Sequence, residues 1–161
     1  MYHFDRTWDL NELYVRLGSG RTRRNVAIHN VVQAMDDVLV LHLPAIHALS
    51  GCDTTSKVGP KLACINKSID LSCISGFGRN PLDHEMMENA EKFLLQCLKK
   101  QRDVVTFDDY RYNQYYDSVD FNNLVCCSST IHEHIKRAYY QSILWYTAAD
   151  PPVTYLDPID Y

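Results

Sequence analysis

The sequence has no apolar run of the roughly 18 residues that a membrane-spanning helix needs. Its longest apolar stretch, Val38 to Leu49, is interrupted by His42, Pro44 and His47. The first ten residues, MYHFDRTWDL, resemble neither a secretory signal nor a transit peptide. We therefore expect a protein without a membrane partner that works inside the cell, in the nucleus or the cytoplasm.

The sequence also lacks an excess of positive charge. It has 16 Lys and Arg against 20 Asp and Glu, which gives a net charge of -4, so the overall charge does not attract nucleic acid. Binding to nucleic acid would need a local basic patch. One candidate patch surrounds a glycine turn and consists of Arg16, Arg21, Arg23 and Arg24. The alternative is that these arginines form the solvated rim of a hairpin.

Six cysteines are present, but no Cys-x-x-Cys pair, the spacing typical of structural zinc sites. Because there is no secretory signal, we interpret the cysteines as reduced and mostly buried thiols. Adjacent Cys126 and Cys127 with His132 and His134 could suggest a zinc site. The spacing disfavours it, since side chains two residues apart diverge on a helix.

The chain does contain enough apolar material for one core. Its 161 residues are 46% hydrophobic and 22% charged, as in a globular domain. Leu13 to Leu17 alternates apolar and polar residues, a glycine turn follows, and Asn25 to His29 supplies a returning strand. We predict one β-hairpin here, a short helix from Asn30 to Met35, and a mostly helical remainder.

Capping residues predict where the first long helices begin and end. Pro44 is expected to start a helix that Gly51 ends, and Pro60 to Lys67 is expected to form another. Asn80 with Pro81 is expected to cap and start the next helix. Its apolar residues recur at helical spacing and are Met86, Met87, Ala90, Phe93, Leu94, Cys97 and Leu98.

Two more helices are predicted towards the end of the sequence. Thr106 should cap a helix from Phe107 to Tyr116, whose tyrosines we interpret as packing on neighbouring helices, with stacking on nucleic-acid bases as the alternative. Thr130 and Glu133 form a capping-box pattern before the longest helix. This helix should place Trp145 in the core, and Pro151 and Pro152 should end it.

Asp53 is the most informative acidic residue. It follows a predicted helix end, in a turn rich in glycine and hydroxyl side chains, so its carboxylate could face a cleft. Carboxylate oxygens are the ligands that Mg²⁺ takes from proteins. The alternative is an Asx-turn, in which the side chain of Asp53 bonds its own backbone.

The segment around Asp53 resembles the hallmark of flap-endonuclease-like and XPG-like nucleases, in which a Leu-x-Gly-x-Asp turn precedes Gly-Pro-Lys-x-Ala. The matching residues are Leu49, Gly51, Asp53, Gly59, Pro60, Lys61 and Ala63. Leu43 to Ser56 is more similar still to uncharacterised, often transposon-associated animal proteins carrying Leu-Pro-x-x-His-Ala-Leu-Thr-Gly-Cys-Asp-Thr-Thr-Ser. HEHIKRAYYQSILW resembles the His-x-x-Arg-Ala-x-Tyr-Gln-x-x-x-Trp signature of that group, and LYVRLGSGRTRRNVAIHNVV, ENAEKFLLQCL and the tail resemble its other segments.

This resemblance implies an α/β fold of the flap-nuclease-like PIN type, of which residues 1–161 would be one incomplete domain. Its parts would be a hairpin and short helix (10–35), the Asp53 turn with flanking helices (43–67), C-terminal helices (80–149) and an extended tail (150–161). The implied activity is divalent-metal-dependent hydrolysis of structured DNA, with Mg²⁺ or Mn²⁺ held in part by Asp53. The implied DNA-binding residues are Thr54, Thr55, Ser56, Lys57 and Lys61, joined by Arg21, Arg23 and Arg24.

Most carboxylates of such a nuclease would precede Leu13, where only Asp5, Asp9 and Glu12 stand. Asp36-Asp37 imitates a catalytic pair, but the resemblance places it in the loop before the helix that begins at Leu43. We therefore expect a fragment or degenerate member that is inactive alone and needs a missing N-terminal half or a protein partner over an exposed apolar face. The alternatives are a non-catalytic nucleic-acid-binding or protein-binding helical module derived from a mobile element, and a remnant without function.

Overall fold

The computed structural model describes residues 11–58, 69–98, 104–117 and 124–150. Within these residues the chain is mostly helical with one small antiparallel sheet near its start, which confirms the predicted character of the chain. The predicted helix at Pro60–Lys67, Lys61 and the tail from Pro151 lie outside the described residues. The elements are β1 (Tyr14–Leu17), β2 (Arg24–Ala27), α1 (Ile28–Gln33), α2 (Asp37–Ser50), α3 (His84–Cys97), α4 (Phe107–Tyr116) and α5 (Ser128–Tyr146), with 3-10 turns at Gly20–Thr22 and Leu71–Ile74.

The two strands form the predicted hairpin. Tyr14 pairs with Ala27 and Leu17 pairs with Arg24 in an antiparallel register. The turn needs glycine at position 18, where φ is +81° and an added Cβ would lie 2.5 Å from the carbonyl oxygen of Thr22. All four residues of β1 are exposed to solvent, so the hairpin contributes little to the core.

Helix α2 begins seven residues earlier than the sequence predicts. Its cap is Asp36, whose carboxylate accepts a hydrogen bond from the backbone N–H of Val38 at 2.8 Å. Pro44 lies buried inside the helix, so the prediction that it starts the helix is wrong. Asp36 lies in the loop before the helix as predicted, whereas Asp37 is the first helical residue. The capping carboxylate and the burial of α2 on several sides outweigh the one backbone hydrogen bond that proline removes.

The predicted start of α3 is also wrong. Asp83 caps this helix by accepting a hydrogen bond from the N–H of Met86 at 2.8 Å. Asn80 instead ends a tight turn: its N–H bonds the carbonyl of Gly76, and its own carbonyl accepts a 2.6 Å hydrogen bond from the hydroxyl of Tyr139. The charged side chain of Asp83, which is nearer to the helix, therefore caps α3 in place of the neutral Asn80.

The predicted start of α4 is confirmed, whereas the predicted start of α5 is wrong. Thr106 and Asp109 form a reciprocal capping box at α4, whose bounds match the prediction. Helix α5, however, begins at Ser128 after Cys127, which places Thr130 inside the first turn. Glu133 pairs with Lys136 at 2.8 Å instead of capping the backbone, so the predicted capping box is absent from α5.

The core lies where α2, α3 and α5 meet. Its largest fully buried side chains include Ile46, Phe77, Phe93 and Ile135. Gly78 lets the backbone approach α5, since an added Cβ would lie 2.5 Å from the Cβ of Ser142. Trp145 is only half-buried at the core's edge, so its predicted place in the core holds in part. None of the described helices has the length and apolar character that crossing a membrane requires.

A buried carboxylate joins α3 to the beginnings of α4 and α5. Glu91 is 6% exposed, and one of its oxygens accepts hydrogen bonds from the N–H of Phe107 at 2.9 Å and the hydroxyl of Ser128 at 2.8 Å. Its other oxygen lies 2.9 Å from Nε2 of His132. Three partners therefore compensate the cost of burying this charge.

Candidate functional site at the Asp53 turn and helix α5

The turn after α2, residues 51–58, folds back tightly on the helix end. Gly51 adopts φ +108°, and an added Cβ there would lie 2.6 Å from the Cα of Lys57, so its predicted role at the helix end is confirmed. The N–H of Cys52 bonds the hydroxyl of Thr55 at 3.0 Å, and the N–H of Val58 bonds the carbonyl of Ser50. These bonds fix the turn as one structured unit.

Asp53 lies exposed within this turn. Among the described residues, no hydrogen bond or ion pair is made by its carboxylate, so the Asx-turn alternative lacks the bond that defines it. Thr55 stabilises the turn in its place: it is 7% exposed, and its hydroxyl donates to the carbonyl of Ala48 at 2.8 Å. The carboxylate of Asp53 is thus left open to solvent.

Helix α5 makes one contact with the turn and one with the end of α2 from which the turn starts. The hydroxyl of Thr54 donates a 2.6 Å hydrogen bond to Oε1 of Gln141. His134 lies 2% exposed beneath the turn, with Nε2 at 2.8 Å from the carbonyl of Leu49. That carbonyl belongs to the last turn of α2, where carbonyls lack helical N–H partners. The two segments that carry the resemblance therefore pack against each other.

His134 is held as the neutral imidazole. A carbonyl can only accept, so Nε2 of His134 must carry the hydrogen in its bond to Leu49. Burial lowers the pKa of His134 below its ordinary value, and the nearby Arg137 lowers it further, against the opposing effect of the Leu49 bond. The buried Nδ1 has no partner within the described chain, as suits an uncharged ring.

A cleft of about 330 Å³ opens between the turn and α5. Lys136 pairs with Glu133 in its wall, whereas the exposed Arg137 makes no ion pair with any described residue. Most of the surface exposed in the cleft is apolar, although six of its seven lining side chains carry a polar group; the seven are Thr54, Glu133, Lys136, Arg137, Tyr140, Gln141 and Leu144.

The predicted nucleic-acid-binding residues divide into three groups. Thr54, Ser56 and Lys57 are exposed on the turn, whereas Thr55 is buried and its hydroxyl is bonded to the carbonyl of Ala48. Lys61 lies outside the described residues. The third group lies on the hairpin and consists of Arg21, Arg23 and Arg24, all of them exposed. Within the described ranges, no hydrogen bond or ion pair joins these arginines to the Asp53 turn.

The cleft adds polar residues that the sequence did not assign to a site. Arg137 and Gln141 are four residues apart, so both lie on one face of α5 with Tyr140 beside them. The signal was present in the His-x-x-Arg-Ala-x-Tyr-Gln pattern. Only the folded chain shows that this face of α5 meets the Asp53 turn.

The described residues do not fit a complete metal site. No three His, Cys, Asp or Glu side chains in residues 11–58, 69–98, 104–117 and 124–150 come together in a way that could hold an ion. Mg²⁺ or Mn²⁺ at Asp53 would need further oxygen ligands from elsewhere. Of the residues considered for a zinc site, His132 bonds Glu91. Hydrogen bonds with the hydroxyls of Ser129 and Thr130 lower the pKa of Cys127 to about 7.

The tyrosines of α4 are arranged differently from the prediction. Tyr110 is buried, but Tyr112, Tyr115 and Tyr116 are more than half exposed, and their rings contact one another. The rings of Tyr112 and Tyr116 lie 4.7 Å apart, and their hydroxyls are 3.1 Å apart. Burial within the fold, as the prediction requires, is therefore seen for Tyr110 and not for Tyr112, Tyr115 or Tyr116.

Comparison of the chain with protein-family models, curated proteins and solved structures finds no significant match. The resemblance to flap-nuclease-like proteins consequently stays a prediction carried by residues 43–63 and by the α5 pattern. The function must therefore be inferred from the geometry of the turn and the cleft.

Proposed function

We propose that this chain is the C-terminal part of a flap-nuclease-like PIN domain that binds DNA and contributes Asp53 to a divalent-metal site. The supporting observation is the exposed carboxylate of Asp53, without a hydrogen bond among the described residues, on a turn fixed to α5. A ligand carboxylate must be both positioned and unoccupied, and Asp53 meets both conditions. Ser56 and Lys57 on the same turn are available to phosphate oxygens.

We further propose that this chain does not cleave nucleic acid alone. Two-metal phosphodiester hydrolysis requires two ions about 3.5–4 Å apart, held by several carboxylates. The described residues supply one carboxylate at the turn and no cluster around it. We therefore propose that the remaining ligands come from a missing N-terminal half or a partner chain.

A second candidate is a protein-binding module that has kept the helical half of the fold. The observation in its favour is the hairpin, where Val15 and Leu17 are exposed on one face of β1 and Tyr14 is exposed on the other. Isolated hairpins are marginally stable in water, so a partner covering β1 would stabilise it. In this case Asp53 would have no metal to bind.

The test combines metal binding with DNA binding on the full chain. We expect Mn²⁺ titrated into the protein with flap DNA present to bind, and Asp53→Asn to abolish that binding. Asp37→Asn, which removes another exposed aspartate at the start of α2, serves as the matched control. Flap DNA should remain uncut.

Each departure from this result has a distinct meaning. Binding of DNA with no effect of Asp53→Asn on Mn²⁺ would remove the metal role and leave a nucleic-acid-binding module. Cleavage that depends on Asp53 would show that the chain supplies the other carboxylates itself. No binding of DNA or Mn²⁺ would contradict the proposal and favour the protein-binding module.

A further inference from the structure

We propose that the cleft between Thr54 and α5 is a phosphate subsite for one unit of a nucleic-acid strand, with Arg137 and the amide of Gln141 as its principal donors. This inference rests on the proposed function and assigns a site to residues outside the predicted DNA-binding set. It is carried by the orientation of Gln141, the charge balance of the cleft and its size.

The orientation of Gln141 makes it a donor towards the cleft. Because the hydroxyl of Thr54 donates to Oε1 of Gln141 at 2.6 Å, the amide oxygen is occupied and the amide nitrogen keeps its two N–H groups for a ligand. The Thr54 bond also fixes the side chain, so little conformational entropy is lost when a ligand binds. Thr54 therefore positions Gln141, and Gln141 and Tyr140 line the same cleft.

The charges of the cleft favour a singly charged anion. Lys136 and Glu133 pair at 2.8 Å and largely cancel each other, and the buried neutral His134 adds no charge. Arg137, which also interacts electrostatically with Glu133, leaves the lining with one net positive charge. Its planar guanidinium can donate two parallel hydrogen bonds to a phosphate. Asp53 is adjacent to Thr54 in the chain and repels an anion, so binding must depend strongly on Arg137.

The volume of the cleft favours a nucleotide unit over a small ion. About 330 Å³ is at the lower end of the roughly 300–1,000 Å³ found for small-molecule sites. Leu144 and the ring of Tyr140 supply apolar surface for a sugar beside the polar donors. A phosphate group with its attached sugar would use both parts of the lining.

The experiment measures binding of a fluorescein-labelled single-stranded oligonucleotide by anisotropy at low and moderate salt. We expect Arg137→Gln to weaken binding about tenfold or more, as loss of a charge-assisted hydrogen bond does. It should also reduce the slope of log affinity against log salt by about one. Gln141→Glu, which replaces the amide donor with a carboxylate, should weaken binding at least as much.

Lys92→Gln is the matched control, because it removes the same charge from an exposed position on α3. It should leave the affinity within about a factor of two, since surface charges outside the site act weakly. Circular dichroism and thermal unfolding of each variant separate a loss of binding from a loss of fold. If Lys92→Gln weakened oligonucleotide binding as much as Arg137→Gln, the proposed phosphate subsite would be wrong.

Two further arms identify the source of the phosphate. Arg137-dependent binding of inorganic phosphate, or a gain from a 5′-phosphate on the oligonucleotide, would assign the cleft to a terminal phosphate. Arg137-dependent binding of the oligonucleotide, with no binding of inorganic phosphate and no gain from a 5′-phosphate, would assign the cleft to a phosphate of the backbone. Either result supports a phosphate subsite.

Failure of this inference is distinguishable from failure of the proposed function. If the wild-type chain binds the oligonucleotide and both cleft variants bind equally well, the cleft is not the subsite, while DNA binding stands. If the chain binds no DNA but binds inorganic phosphate through Arg137, the proposed function fails and the phosphate site survives as an anion site. Binding of neither ligand contradicts both.

Discussion

The hairpin and the helical core are built on opposite principles. Strand β1 exposes all four of its residues, with Tyr14 56% and Leu17 44% accessible, whereas α2 buries eight of its fourteen residues. A two-stranded hairpin without a hydrophobic face is marginal in water, whereas a helix surrounded by α3 and α5 gains the free energy of burial on several sides. We infer that the stability of the chain resides in the helices and that the Asp53 turn inherits its rigidity from them.

The largest effect that would test this comparison comes from truncating one apolar side chain in each region. Phe93→Ala removes a side chain that is 0% exposed, and we expect it to lower the free energy of unfolding by about 3–5 kcal/mol. Leu17→Ala should cost less than about 1 kcal/mol, because Leu17 is largely in water already. Urea denaturation followed by circular dichroism measures both. Equal losses would mean that the hairpin is covered, by other parts of the chain or by a second copy.

A smaller effect is expected from two glycines with positive φ. Gly51→Ala should destabilise the chain by about 2 kcal/mol, because φ is +108° and the new Cβ would meet the Cα of Lys57 at 2.6 Å. In the hairpin turn, Gly20→Ala has φ +53° and nothing within 4 Å of the new Cβ, so it should cost only about 1 kcal/mol, the lower end for a left-handed backbone. Thermal unfolding of the two variants gives the comparison.

The same pair also tests whether the core controls the candidate site. Since Gly51 shapes the turn that presents Asp53, Gly51→Ala should weaken Mn²⁺ binding as well as stability. Gly20→Ala should leave Mn²⁺ binding unchanged. A Gly51 variant with normal metal binding would show that the shape of the turn is unimportant for Asp53.

Local sequence signals predicted the presence of helices and strands better than the residues at which the helices begin. The alternation at Leu13 to Leu17 and the capping pair at Thr106 and Asp109 gave the hairpin and α4, because each depends on neighbours in sequence. The starts of α2 and α3 were wrong because an aspartate cap competed with a proline signal, and the carboxylates of Asp36 and Asp83 made the cap. Sequence alone does not rank such competing caps.

The candidate site was predictable only in part, for a related reason. The turn itself is local, so glycine at position 51 and an aspartate two residues later were enough to mark it. The cleft depends on the contact of Thr54 with Gln141, which are 87 residues apart. Contacts of this range come from packing of α2 on α5, which no pattern within either segment encodes.

The smallest of the expected effects concerns the pH dependence of the core at His134. Because burial lowers its pKa below the ordinary value of about 6.5, the unfolded chain binds more protons at this residue than the folded chain. The stability that neutral His134 contributes is therefore fully present above about pH 6.5 and is lost as the pH falls through the folded pKa. Unfolding by urea at a series of pH values from about pH 8 to about pH 5 should show this decline.

The matched variants are His134→Gln and His84→Gln. Glutamine at position 134 keeps an N–H donor for the carbonyl of Leu49 but cannot titrate, so the decline below about pH 6.5 should become shallower. His84 is exposed at the start of α3, with 89% of its side chain accessible, and its replacement should leave the decline as it is. An unchanged decline in His134→Gln would assign the pH dependence to other groups. A shallower decline would identify the contact between α5 and the end of α2, on which the Asp53 turn depends, as the part of the core that acid weakens first.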